Sequence, residues 1–253
     1  MMKHLMDRLW ESMRFLTILP APGPSSNKSN DLAKAMVFFP LIGILISVVT
    51  LWLFAWLQPF FSPRVANLIL LMVPLAVSGG LHLDGFADFC DGFFSGKNKT
   101  ETLRIMKDPR IGTWGVAGVV LLLLAKFELL QDLPVKALTF ALALTAGRWA
   151  QVVLSYFLSY ARPEGGLGQT VARRVSVYDL AGATFFLFLV ILPLHWIGFF
   201  VFAALAAFLA LLGFYFQKKI GGITGDLLGA ASELTELFVF LAMTFISQRA
   251  VNL

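Results

Sequence analysis

Seven stretches of this chain, 35–57, 65–81, 112–131, 136–159, 179–194, 197–217 and 224–247, come near the roughly 20 apolar residues that an α-helix needs to cross a bilayer core. The chain is therefore expected to be an all-α, polytopic transmembrane bundle of about seven spans. The fifth stretch is short, and its boundary at Pro193-Leu194-His195-Trp196 is the least defined. Composition agrees: 58% of residues are hydrophobic and 14% charged, with a mean hydropathy of +0.79, far from the even mix of a water-soluble domain.

The basic residues orient the bundle. Segments 1–34, 82–111, 160–178 and 218–223 carry fifteen Lys and Arg, whereas 58–64, 132–136 and 248–253 carry three, Arg64, Lys136 and Arg249. Cytoplasmic loops collect Lys and Arg, so this alternation puts the N-terminus in the cytoplasm and the C-terminus outside. The same rule accounts for the net charge of +5 without a nucleic-acid partner. Residues 1–19 mix Lys3, His4, Asp7, Arg8, Glu11 and Arg14 among apolar residues with no small-residue cleavage site, the pattern of an amphipathic interfacial helix rather than a signal peptide. Pro20–Asn30 is a Pro/Ser/Gly/Asn connector, so 1–30 forms a helix and connector leading into one membrane domain, 1–253. Cys90 is the only cysteine, which excludes an intramolecular disulfide and a thiolate metal cage.

Chemistry concentrates in two places. Asp84, Asp88 and Asp91 stand at i, i+4 and i+7, so a helix stacks three carboxylates on one face at the cytoplasmic end of the second span. Like charges at that spacing repel. A solvated turn would tolerate them, but a divalent cation held by oxygen ligands would use them. Asp226 and Glu233 lie two helical turns apart in the last span with Gly229 and Ala230 between them, small residues that let another helix approach. Glu233 falls roughly 10 Å inside that span, where an unpaired carboxylate is costly, and Glu236 could be a polar contact of the same helix. Both stripes begin on the cytoplasmic side and can face each other. His82 reads as a substrate contact rather than a metal ligand, because hard oxygen donors dominate around it. Lys107 and Arg110, with Lys97, Lys99 and Arg104, supply cations for phosphate oxygens, although topology alone would also put them there. Arg148, inside the fourth span, and Arg162, in the turn after it, each need an anionic partner, a substrate phosphate or one of the aspartates.

The runs Gly80–Asp88 with Asp91-Gly92, Ile105–Gly112, Phe15–Pro20, Phe39–Gly43, and Gly221–Asp226 with Leu228–Ala230 together resemble the cobalamin synthase family of adenosylcobinamide-GDP ribazoletransferases, over essentially the whole chain. The resemblance implies a Mg2+-dependent enzyme of the prokaryotic inner membrane, with its active site on the cytoplasmic side. It would join adenosylcobinamide-GDP to alpha-ribazole, or its 5'-phosphate, and release GMP. In that reading Asp84, Asp88, Asp91 and Asp226 hold Mg2+, Asp91 or Glu233 is the general base, and His82, Lys107, Arg110, Arg148 and Arg162 bind substrate. A CDP-alcohol lipid phosphotransferase shares the metal chemistry, but the Ala-Arg expected after its Asp-Gly is absent here. A cation-coupled transporter would show two related halves, and no such repeat is found. Self-association into a homo-oligomer is left open by the sequence.

The charge asymmetry makes the first prediction: a cysteine placed at position 136 reacts with an impermeant label from outside the cell, and one at position 97 does not. Labelling of both from one side would sink the topology.

Overall fold

A computed structural model describes residues 2–23, 29–133 and 135–251. Residues 24–28 of the anticipated connector, and parts of the loops at 132–136 and 248–253, lie outside the described residues. Eleven α-helices are described: α1 (Met2–Leu16), α2 (Ser29–Ala35), α3 (Phe39–Leu57), α4 (Pro63–Val77), α5 (Leu81–Phe93), α6 (Lys99–Ile105), α7 (Thr113–Gln131), α8 (Lys136–Phe157), α9 (Val177–Ile191), α10 (His195–Ile220) and α11 (Gly225–Val251). There is no strand among the described residues, and the fold is an all-α polytopic bundle.

By length and hydropathy five helical stretches can cross a membrane, Leu32–Phe60, Thr113–Gln131, Lys136–Phe157, Val177–Ile220 and Gly225–Gln248, and a sixth if α4 and α5 count as one bent span. Seven were anticipated; the stretches at 179–194 and 197–217 fall within the single run Val177–Ile220. That run is not straight. A 3-10 turn at Leu192–Leu194 and a positive φ of 51° at His195 double it back, bringing the Phe188 and Phe202 rings to 4.9 Å.

Local chemistry sets the other breaks. Ser62 caps α4 ahead of Pro63, and Ser176 with Asp179 forms a capping box on α9. Between α4 and α5 the glycines at 79 and 80 adopt left-handed φ values of 61° and 75°, which turn the chain through 89°. The end of α1 docks on this elbow: the Ile18 amide donates to the Val77 carbonyl at 2.8 Å, and the Ile18 side chain occupies the space that a Cβ at Gly79 would need. The α1 helix is therefore built into the bundle. The Ser12 hydroxyl donates to the Ala35 carbonyl at 2.6 Å, and Phe15 stacks on Phe39 at 5.6 Å.

Glycines also set the closest helix contacts. A Cβ at Gly43 of α3 would lie 2.7 Å from the Leu144 carbonyl oxygen of α8, and one at Gly85 of α5 would lie 2.6 Å from the Asp226 carbonyl oxygen of α11. One turn further along α11, a Cβ at Gly229 would lie 3.1 Å from the His82 carbonyl oxygen. Deeper in the bundle, Lys126 of α7 donates to Glu233 at 2.5 Å and to Glu236 at 2.7 Å, and Arg148 of α8 donates to the other oxygen of Glu236. Two cations and two anions balance inside apolar surroundings, beside a cavity of about 40 Å³ with room for a water.

Removing one member leaves a buried charge uncompensated. Lys126→Met is expected to destabilise the detergent-solubilised protein by about 3 to 5 kcal/mol, read as a lowered thermal midpoint. Adding Glu233→Gln should restore part of the loss, because it removes the orphaned anion. A Lys126→Met midpoint equal to that of the unaltered protein would refute the quartet as a structural element.

Candidate functional site

The glycine contacts bring the two acidic stripes together. Gly85 and Gly229 let α5 and α11 touch backbone to backbone, so Asp84 and Asp88 stand beside Asp226 despite the distance between them in sequence. Among charged groups Asp226 exerts the largest electrostatic effect on Asp88, followed by Asp84. The loops that enter the site are tied to each other as well. The Ile223 amide donates to the Ser159 carbonyl, and the Ala161 amide to the Ile223 carbonyl, each at 2.9 Å. This pairing carries Arg162 to the start of α11, where its Nη2 donates to the Asp226 carboxylate at 2.7 Å and to the Met106 carbonyl at 3.3 Å. The Thr224 hydroxyl adds a bond to Asp226 at 3.3 Å. The Tyr160 hydroxyl donates to the Gly165 carbonyl at 3.2 Å, and burial pushes its ionisation above the usual phenol range, so the group stays a donor. Gly166 and Gly168 lie flat against Tyr160, with no room for side chains.

The four aspartates divide by what their oxygens do. Asp226 is held by Arg162 and Thr224. Asp91 accepts from the Gly112 amide at 2.7 Å and the Gly115 amide at 2.8 Å, capping the first turn of α7 in place of Gly112, which has no side chain of its own to do so. Asp84 and Asp88 have no hydrogen-bond or ion-pair partner among the described residues; Asp84 is exposed and Asp88 half-buried. A set of hard oxygen donors crowded at like charge suits a divalent cation in donor type. No three His, Cys, Asp or Glu side chains among the described residues already surround one point. Mg2+ does not require that, since it commonly keeps waters and binds one or two carboxylates together with substrate phosphates.

Other sequence-derived candidates are placed elsewhere. Glu233 and Arg148 belong to the ionic quartet with Lys126 and Glu236, so neither reaches the aspartates at the mouth. Both general-base candidates, Asp91 and Glu233, are thus engaged, one by backbone amides and one by Lys126. Lys107 pairs with Glu164 at 3.4 Å on an exposed rim, next to the Met106 carbonyl that Arg162 contacts. Arg110 is turned to Asp108, donating through Nε and Nη2, and holds that carboxyl at about 2, well below the usual range. His82 is 3% exposed, lines the same cavity as Asp84 and Asp226, and neither ring nitrogen has a hydrogen-bond partner among the described residues. Sequence reasoning passed over Lys126, although a lysine inside an apolar span signals a carboxylate partner. It also missed Tyr160 and Gln151, which nothing in the pattern sets apart.

A family model described as cobalamin-5-phosphate synthase matches residues 8–244. Among curated proteins, an adenosylcobinamide-GDP ribazoletransferase of Acetivibrio thermocellus is 35% identical over 243 residues, covering 95% of this chain and 98% of that protein. A protein of the same name from Citrobacter koseri is 35% identical over 245 residues, covering 92% of this chain and 98% of its own. No solved structure matches.

The backbone contact at Gly85 carries the site, so Gly85→Ala should separate α5 from α11 there. The expected outcome is a loss of turnover of tenfold or more, about 1.4 kcal/mol or above in activation free energy, in protein that still purifies as a folded species. Unchanged turnover in Gly85→Ala would show that the close approach is dispensable.

Proposed function

The chain belongs to the cobalamin-5-phosphate synthase family, and on that premise we propose that it joins adenosylcobinamide-GDP to alpha-ribazole, or to alpha-ribazole 5'-phosphate, and releases GMP, the last step of cobalamin nucleotide-loop assembly. The observation that best supports this is the meeting of Asp84 and Asp88 with Asp226 and Arg162 across the α5–α11 contact. Three carboxylates beside a guanidinium suit the transfer of a phosphorus group, which needs positioning and charge neutralisation more than covalent help from the protein.

In the reaction a ribose hydroxyl oxygen of the acceptor, one that is free in alpha-ribazole and in its 5'-phosphate alike, forms a bond to the phosphorus on the cobinamide side, the bond from that phosphorus to the GMP oxygen breaks, and the hydroxyl proton must leave. Asp84, Asp88 and Asp226 would hold Mg2+, which supplies neutralisation of the pyrophosphate charge when bound. Arg162, anchored on Met106 and Asp226, directs its remaining N–H groups at phosphate oxygens, and the amide N–H groups opening α11 add positive potential on the same side. Lys107 at the rim can exchange Glu164 for a phosphate, since their pairing is exposed and weak. Asp84 or Asp88, whichever is less committed to the cation, takes the proton; both have oxygens that nothing else occupies. The site opens at the cytoplasmic face of the inner membrane, where the phosphorylated substrates are soluble.

Purified protein supplied with Mg2+, adenosylcobinamide-GDP and alpha-ribazole should release GMP and form adenosylcobalamin, and chelation should stop both. Asp84→Asn and Asp88→Asn are each expected to raise the activation barrier by about 3 to 4 kcal/mol, lowering kcat on the order of a hundredfold or more, with thermal midpoints no lower than that of the unaltered protein. Near-normal turnover in either folded variant would remove it from the metal-binding set.

A further inference from the structure

Resting on the transferase reading, we infer that the cavity between α1, the α2–α3 junction, α5, α8 and the start of α11 receives the planar aromatic base of the acceptor nucleoside, while the donor approaches from a second cavity across Asp84. The first cavity, about 230 Å³, has two unlike sets of residues in its lining. One is Asp84, Arg162 and Asp226; the other is Phe15, Leu32, Met36 and Phe39, with Phe15 and Phe39 already stacked on each other. Two buried polar side chains lie along it: Gln151, 2% exposed, and His82, whose ring nitrogens are unpartnered. An apolar wall with neutral hydrogen-bonding groups fits a flat heterocycle, and it would penalise a phosphate or diphosphate. The charged residues of the same lining then meet the ribose, whose free hydroxyl reacts.

The second cavity is wider, about 650 Å³, and is bounded by Ile18, Gly79, Gly80, Ala87, Ile111 and Val119. It shares only Phe15, Leu81 and Asp84 with the first. In-line displacement at phosphorus needs the attacking hydroxyl and the departing GMP oxygen on opposite sides, with the corrin-bearing group retained on phosphorus. Two cavities meeting at one carboxylate let acceptor and donor reach that phosphorus separately, and the wider one leaves more room for the bulkier donor. The wall between them, Phe15, comes from the N-terminal helix.

Steady-state kinetics with both substrates, on the purified full-length protein, test this. Leu32→Trp fills the cavity from a half-buried apolar position in its lining, and Gln151→Leu removes the amide at nearly constant volume, so misfolding of one leaves the other informative. Each should raise KM for alpha-ribazole, by about tenfold for Leu32→Trp, and leave KM for adenosylcobinamide-GDP within about twofold, whereas Ile111→Trp in the wider cavity should do the reverse. Equal rises in both constants, or an unchanged constant for alpha-ribazole in a folded variant, would overturn the assignment. Absence of GMP release by the unaltered protein would instead overturn the transferase reading, and the assignment with it.

Discussion

The contact between Gly85 of α5 and the backbone of Asp226 in α11 is the constraint on which the site depends. A side chain at 85 would collide with the Asp226 backbone and one at 229 would crowd that of His82, so either would push the helices apart and shift Asp84 and Asp88 relative to Asp226. In lipid, helices gain little by burying apolar surface against each other, so close backbone approach and polar bonds decide which faces meet. The elbow at Gly79 and Gly80 serves the same end. It lets α5 leave the direction of α4 and lie against the last helix with its carboxylates at the bundle's mouth.

Below that mouth the rule changes from exposed like charges to paired opposite ones. Lys126, Arg148, Glu233 and Glu236 satisfy each other where water is scarce, and they tie α7, α8 and α11 together. Exchanging such a quartet for apolar residues would not necessarily weaken the fold, because each ion loses hydration on burial. Removing a single member is the damaging change. The quartet also fixes the rotation of α11, since Glu233 and Glu236 must face α7 and α8 while Gly229 and Asp226 face α5.

Much of this was legible in the sequence and some was not, for physical reasons. Segment length and hydropathy give the all-α membrane bundle directly, and the i, i+4, i+7 spacing gives the acidic face of α5. The small residues around 229 announced a close approach, although spacing cannot name the partner helix. Asp91 continues the stripe by periodicity, yet it is drawn to the amides of Gly112 and Gly115, because a helix that starts on glycine leaves its first N–H groups without a cap. Glu233 and Arg148 were recognised as costly inside the membrane and assigned to substrate chemistry; their partners, Lys126 and Glu236, were in the sequence, but pairing across three helices depends on rotations that hydropathy does not encode.

The division among the carboxylates follows from that difference. A carboxylate serving structure finds its donors within the fold, as Asp91 does with two amides and Glu236 does with a lysine and an arginine. One serving a ligand must keep lone pairs unspent, which costs stability whenever the ligand is absent. Asp84 and Asp88 are in that condition, beside a third aspartate and on rigid helices that cannot relax to separate them. Asp226 is intermediate: Arg162 offsets its charge, yet the guanidinium still has N–H groups to give, and its buried Nε has no partner. A substrate carrying phosphate and a cation would satisfy all of these groups together, the aspartates through the cation and Arg162 through the phosphate. The fold therefore keeps unspent carboxylates at the mouth between α5 and α11, and pairs Glu233 and Glu236 internally, where lipid would make a lone charge too costly.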